Sequence, residues 1–385
     1  LISFVSVMSK KLKISRVEQI VILFIIMYQP SLILIDHGHF QYNSVMLGLF
    51  LFSLSELVVG NYVLASVWFI CSIAFKQMAL YYAPFIFAFL LSKSFANVND
   101  SKSWSLWKAF NFKRLFTIGS TVLITIQVIL LPFINFSASR EENVKQIFQI
   151  LNRMFPFQRG LFEDKVANFW CTTNIVFKYR NIFELEQLTK LSLILTLISI
   201  LPPCGMIFYK NICATNFLEK RETPAKYIAL IYGFAATAWG FYLFSFQVHE
   251  KTVLVPLIPS TFLFLLCDKQ TIVITQWINN IAAFSMWPLL KKDGLVLQYV
   301  LLVFLSNFLI GAFNTNVNAL IPPSGFIWKS LVILSYIGVL AIHFVDFYFE
   351  PPTKLPDLWV IMNSTLSFGC FSVYWLWLLI RMAKL

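Results

Sequence analysis

About twelve apolar runs, many of them near or above ~18 residues, follow one another along this chain with mostly short polar intervals. That rhythm leaves few architectures open. Hydrocarbon offers no partner to a backbone N–H or C=O, so such runs cross a bilayer as helices. A transmembrane barrel would show short segments of alternating hydrophobicity instead. Composition agrees, with 58% hydrophobic and 12% charged residues, where a soluble domain carries about 25% charged. The predicted fold class is an all-α polytopic membrane protein. Forty-one Phe suit lipid-facing and interhelical packing and require no special function.

Loop charge orients the spans. Lys10, Lys11, Lys13 and Arg16 fill one short loop, which the positive-inside rule places in the cytoplasm. The next span, at about 17–35, is kinked or thinned near Pro30 and delivers a polar stretch to the lumenal face. Runs at about 44–59 and 62–75 return and cross again around a tight Gly60-Asn61 turn. Lys76 lies at the following lumenal edge. The run at about 78–94 ends in a second basic loop (Lys93, Lys102, Lys108, Lys113, Arg114), which agrees with the first. Beyond a span at about 115–134, residues 136–180 form the longest polar stretch. Within it Val144, Ile147, Phe148, Ile150, Leu151 and Met154 recur at helical spacing, predicting an interfacial amphipathic helix in a lumenal loop. Further spans fall near 188–208, 227–247, 252–267, 271–289, 296–313, 326–346 and 358–380, leaving Arg381 and Lys384 cytoplasmic.

The net charge of +12 therefore reads as Lys and Arg retained in cytoplasmic loops, and nucleic acid is not an expected partner. Six scattered Cys show no CxxC spacing, so neither a disulfide framework nor a zinc site is expected. The chain opens Leu1-Ile2-Ser3-Phe4-Val5 without an initiator Met. Residues 1–8 are read as the remnant of a membrane helix whose beginning is missing, and 9–385 as one multispan domain. The sequons at Asn99 and Asn363 fall in a cytoplasmic loop and inside a span, and neither is expected to carry glycan.

Chemistry concentrates in Asp36-His37-Gly38-His39-Phe40-Gln41-Tyr42-Asn43. Polar side chains in hydrocarbon cost several kcal/mol unless they face water or a partner. Two His, an Asp, a Gln, a Tyr and an Asn are too many for a membrane-edge turn, and the stretch is read as the wall of a site for a polar or phosphorylated ligand. Two further polar stretches, Arg159 to Trp170 and Phe246 to Lys251, fall on the same face in this topology. Three of the four His lie in these motifs. An i, i+2 His pair with no third clustered ligand is a weak zinc signal, so hydrogen bonding outweighs metal binding. His343 and Asp346, one helical turn apart, are read as an interhelical pair. A secondary transporter is the competing reading; it would place its ionisable residues near the bilayer midplane rather than at one rim.

The octapeptide 36–43, with the stretches 159–170 and 246–251, resembles the endoplasmic-reticulum glucosyltransferases that extend the dolichol-linked oligosaccharide. The likeness is greatest to the branch adding the first glucose; the second-glucose branch tends to carry another residue where Gly38 stands. The resemblance implies a multispan glycosyltransferase (GT-C-type) fold in the endoplasmic-reticulum membrane, with the active face lumenal. It implies inverting transfer from dolichyl-phosphate-glucose to a dolichyl-pyrophosphate-linked oligomannose glycan, with no cofactor. It also implies that the catalytic base lies in a loop preceding this sequence, so the chain alone is expected to give no product.

Such a transfer needs cations and donors on the departing phosphate and hydrogen-bonding groups on the sugar. His249, assisted by Lys251 or Arg159, is assigned to the donor phosphate; for Lys251 the alternative is an ordinary snorkelling base. Asp36 and Glu250 are assigned to sugar hydroxyls or to orienting the His residues, with a local ion pair as the alternative. His37, His39, Gln41 and Asn43 complete the substrate wall. Glu163 and Asp164 are assigned to the acceptor glycan, against a solvated charge run. Trp170 and Tyr42 are assigned to stacking on a sugar, against interfacial anchoring.

Overall fold

The computed structural model describes residues 1–95, 110–135, 139–154, 165–212, 224–314 and 319–385. Its regular elements among these residues are helical, beside one isolated bridge between Phe95 and Phe110. The chain starts with α1 (Ile2–Leu12), which buries Phe4, Val5 and Met8. The next helix, α2 (Arg16–Met27), begins at a reciprocal cap in which Ser15 and Glu18 each bond the other's backbone N–H. It ends just before Pro30, which opens the short α3 (Pro30–Ile33), and a π turn (Leu34–Gly38) continues it. The two segments meet at 42°, so the break falls where proline forbids a continuous ladder.

Two antiparallel helices follow, α4 (Asn43–Val59) and α5 (Tyr62–Phe75). Gly60 at φ +97° closes α4, and the Asn61 side chain caps α5. A 3-10 turn (Gln77–Tyr82) then feeds α6 (Ala83–Lys93). Beyond it lie α7 (Phe112–Leu130), α8 (Arg140–Met154), α9 (Phe169–Phe177), α10 (Leu185–Ile212) and α11 (Pro224–Phe244). The remainder is α12 (Leu254–Thr261), α13 (Lys269–Ser285), α14 (Trp287–Lys292), α15 (Val296–Leu309), α16 (Phe326–Tyr348) and α17 (Leu358–Lys384).

Among the described residues, five helical segments are each long and apolar enough to cross a membrane: Phe112–Phe133, α10, α11, α16 and α17. Counted as one bent span, Arg16–Gly38 makes a sixth. The about twelve expected runs are thus not twelve equal helices. The runs 44–59, 62–75 and 296–313 form shorter apolar helices. Those at 78–94, 252–267 and 271–289 are broken by 3-10 turns or by the α13–α14 joint at Met286. The amphipathic helix expected in the 136–180 loop is α8; it buries none of its residues and leaves Val144, Phe148 and Leu151 exposed.

Burial identifies α11 as the axis of the molecule: 83% of its apolar window is buried, against 6% for Phe112–Phe133. Its small residues allow the close approach. A Cβ at Gly240 would lie 2.8 Å from Ser199 Oγ, and one at Gly233 would enter the Phe85 ring. On α10 the facing stripe is Ser192, Thr196, Ser199 and Pro203, all buried. With lipid as apolar as leucine, such small-residue contacts are how membrane helices gain packing energy. The other cement is polar and lies on α13. Gln276 Nε2 donates to Ser306 Oγ (3.1 Å) and Asn307 Oδ1 (3.2 Å), and Asn280 Nδ2 donates to Asn307 Oδ1 (2.9 Å) and Tyr336 OH (3.1 Å). Gln29 Nε2 donates to Asn279 Oδ1 (3.1 Å), tying α13 to the start of α3.

Candidate functional site

The π turn is the local device that builds the site. It buries Ile35 and Asp36 while leaving His37 exposed. Phe40, at φ +68°, then reverses the chain into α4. A second non-glycine residue, Gln247, sits at φ +57° just before His249. Side chains in this region cost roughly 1–3 kcal/mol each and cluster at functional sites. Each of the two polar motifs thus contains one strained turn.

Asp36 is 4% exposed. Its Oδ2 accepts from both the backbone N–H and the hydroxyl of Ser44, while its buried Oδ1 has no hydrogen-bond partner. An orphaned buried carboxylate oxygen is costly.

Lys76 joins the motifs. It ends α5 in extended conformation, and its Nζ donates to Gln41 Oε1 (3.0 Å) and to Asn43 Oδ1. Burial lowers its pKa below the usual lysine range; Asp36 opposes that shift and Lys251 adds to it. The groups of 36–43 and of 249–251 therefore act on one ammonium. The scaffold beneath is rigid. Tyr82 donates to the Val255 carbonyl (2.6 Å), the Tyr81 ring stacks on Phe241 with centroids 5.0 Å apart, and Phe50 stacks on Tyr82 at 3.9 Å. His249 caps the 3-10 turn Glu250–Val253, with its N–H donating to Thr252 Oγ1 (3.3 Å). That turn holds His249, Glu250 and Lys251 half-buried above buried Thr252 and Val253.

Other expected residues are distributed around this centre. His39 Nδ1 pairs with Asp293 Oδ2 at 2.6 Å, and a Cβ at Gly38 would meet Leu295 Cδ1 at 2.9 Å. The signature turn is thereby docked on the α14–α15 connection. Tyr42 is exposed and edge-on to Phe40. Trp170 corrects an expectation. It is 0% exposed, its Nε1 donates to the Phe244 carbonyl (2.7 Å), and it packs on Tyr179 and Leu188. Trp170 pins α9 to the end of α11 and presents no face to a sugar. Arg159, Glu163 and Asp164 lie outside the described residues. The next described residue, Lys165, pairs with Asp357. His343 and Asp346 do join helices, though not through each other. His343 Nε2 meets Tyr299 OH (3.0 Å), while Asp346 Oδ2 accepts from Trp287 Nε1 (2.8 Å) and Lys291 Nζ (2.9 Å).

These contacts gather 36–43, 76, 165–170, 249–251, 291–295 and 346–357 at one end of the bundle. Basic residues mark the other end. Lys93 Nζ donates to Asn211 Oδ1 (2.7 Å), Arg114 Nη1 to the Lys93 carbonyl (2.6 Å), Arg381 to Tyr232 OH (3.4 Å), and Lys11 lies over the Tyr227 ring. The polar groups nearer the middle are the neutral, mutually bonded amides of α13, unlike the ionisable midplane site of a transporter.

A profile of the ALG6, ALG8 glycosyltransferase family matches residues 1–377. The chain belongs to this family. It is 44% identical over 374 residues to the dolichyl pyrophosphate Man9GlcNAc2 alpha-1,3-glucosyltransferase of Saccharomyces cerevisiae, covering 91% of this chain and 64% of that relative. The protein of the same name in Gallus gallus is 35% identical over 378 residues, covering 91% of this chain and 67% of that relative. The chain thus spans about two thirds of the length of these family members.

Proposed function

We propose that this chain carries donor- and substrate-binding machinery for inverting transfer of glucose from dolichyl-phosphate-glucose to the dolichyl-pyrophosphate-linked oligomannose glycan. The product linkage is α-1,3, and the reaction runs at the lumenal face of the endoplasmic-reticulum membrane. The bond from glucose C1 to the donor phosphate breaks with its electron pair leaving on the phosphate, as the acceptor hydroxyl oxygen bonds C1 and releases its proton to a base. Negative charge grows on the phosphate, so it needs fixed cations. The observation that carries this reading is a partly buried Lys76 that is bonded to Gln41 and Asn43 and feels the charge of Lys251, from a distant part of the chain. Like charges held together disfavour each other until an anion arrives between them. His249 adds a hydrogen bond to that phosphate. Glu250 takes the sugar hydroxyls, while buried Asp36, held by Ser44, and buried Asn43, held by Lys76, position the wall behind them. The second-glucose branch of the same family is the nearest alternative, and the acceptor distinguishes the two.

The test is a chimera in which this chain replaces the matching part of the S. cerevisiae relative, expressed in cells lacking that relative. Membranes supplied with dolichyl-phosphate-glucose and unglucosylated lipid-linked oligosaccharide should yield a glycan heavier by one hexose. A product formed only from the monoglucosylated acceptor would move the chain to the sister branch. No product from either acceptor, with the chimera folded in the membrane, would overturn the proposal.

A further inference from the structure

A cleft of about 460 Å³ opens on the side of the bundle, running from Leu91 and Leu115 at one end to Ile73 and Ala83, which flank the Lys76 turn, at the other. Its floor is α5 and its walls are α6 and α7, because α7 packs along α5 and makes few contacts with α6. Phe69, Ile73, Ile86, Leu90, Ile118 and Val122 line it. The hydroxyl of its one polar lining residue, Ser66, is bonded to the Tyr62 carbonyl (2.8 Å). Nothing in this cleft attracts water or a sugar. Along α7 the lining runs from Leu115 to Leu123, a rise of about 12 Å at ~1.5 Å per residue. That is nearly the depth of one leaflet, half of a hydrocarbon core ~30 Å thick.

The Leu91–Leu115 end of the cleft lies at the basic end of the molecule. Lys113 and Arg114 are exposed in the first turn of α7, one turn from Ile118. Behind them stand Lys93, held by Asn211, and Lys226, which together with Arg114 acts electrostatically on Lys93. An apolar slot one leaflet deep beneath a cationic rim matches an amphiphile with a hydrocarbon chain and an anionic head. We propose that this cleft holds one acyl chain of an anionic glycerophospholipid, with its phosphate against Arg114 and Lys113. In the orientation proposed above, the lipid belongs to the cytoplasmic leaflet, where anionic lipids concentrate. Because the far end of the cleft flanks the Lys76 turn, a polyprenyl chain is the competing occupant, which the experiment below separates from a glycerophospholipid.

Gly119 permits a clean test. It lines the cleft, and a Cβ there meets nothing within 4 Å, so a larger side chain starts into the slot without a clash at its first atom. The full chain in nanodiscs of phosphatidylcholine doped with phosphatidylinositol is extracted, and retained lipid is counted by native mass spectrometry. The native chain should enrich phosphatidylinositol over phosphatidylcholine. Gly119→Phe should abolish retention of both lipids while eluting as the native chain does. Arg114→Gln should keep the acyl site but lose about fivefold of the anionic preference, the share of one cation at a membrane surface. Equal retention of the two lipids by the native chain would overturn the proposal. So would undiminished phosphatidylinositol in Gly119→Phe, or displacement of phosphatidylinositol by an equimolar amount of dolichyl phosphate, which would make the occupant a polyprenyl chain.

Discussion

Single residues decide the chemistry, and Lys76 is the one whose role is most exposed to test. It is a lone cation at the end of an apolar run, and neither spacing nor periodicity separates it from a lysine that merely snorkels. Its identity comes from where Gln41, Asn43 and Lys251 stand in space. Lys76→Met should lower kcat/KM for the donor by about 100-fold, the scale of losing one fixed charge stabiliser; a loss under about threefold would remove Lys76 from the phosphate site. Because burial lowers its pKa, Lys76 sheds its proton at a lower pH than an exposed lysine. The alkaline limb of kcat/KM should therefore fall early. In Lys76→Arg, whose guanidinium stays charged, that limb should move to higher pH, and superimposable limbs would separate Lys76 from donor binding. His249→Ala in the same chimera should abolish donor use, with the protein still folded; near-normal turnover would refute its assignment.

At the scale of elements, much of the fold is written in punctuation. Ser15 with Glu18, the Gln29-Pro30 break, Gly60-Asn61 and the Asp268 cap each end or start a helix at the place where side-chain chemistry demands it. The sequence is silent where two faces of a helix are equally apolar. Periodicity misleads here: α7 sets Thr117, Thr121 and Thr125 apart on one face yet lies at the periphery, whereas α11 reads as a uniform hydrophobic run and is the axis. Gly233, Gly240 and the alanines between them are a local hint, and the meaning of the two glycines depends on Phe85 and Ser199, far away in the chain. Trp170 failed for a related reason: an aromatic at a polar loop edge faces sugar or protein according to what packs over it. Gly233→Ala therefore probes the axis. Phe85 is fully buried and cannot retreat, so overpacking should destabilise by about 1–3 kcal/mol. Gly205→Ala, with nothing within 4 Å of its Cβ, should leave the melting temperature unchanged or raise it through helix propensity. Equal melting temperatures for the native chain and Gly233→Ala in detergent would contradict the α6–α11 contact.

For the whole molecule, function depends on the segregation of two faces. Residues 36–43, 76, 249–251 and 293 meet at one end through direct bonds and shared charge. The cations Lys11, Lys93, Arg114 and Arg381 meet partners at the other. Positive residues are retained on the cytoplasmic side during insertion, so the first end should be lumenal, where a dolichyl-linked glycan would meet it. Two thiols can measure this. Cys267 is exposed, and Glu18, just past the Lys10–Arg16 loop, acts on it electrostatically. Lys354 is exposed in the α16–α17 connection, three residues from Asp357, which pairs with Lys165. In a variant keeping only Cys267, a membrane-impermeant maleimide should label sealed endoplasmic-reticulum vesicles. With Lys354→Cys as the only thiol, labelling should require permeabilisation. The reverse pattern would turn the polar site towards the cytoplasm and exclude a lumenal transfer. Labelling of both thiols in sealed vesicles would mean that the two ends are not on opposite sides of a membrane at all.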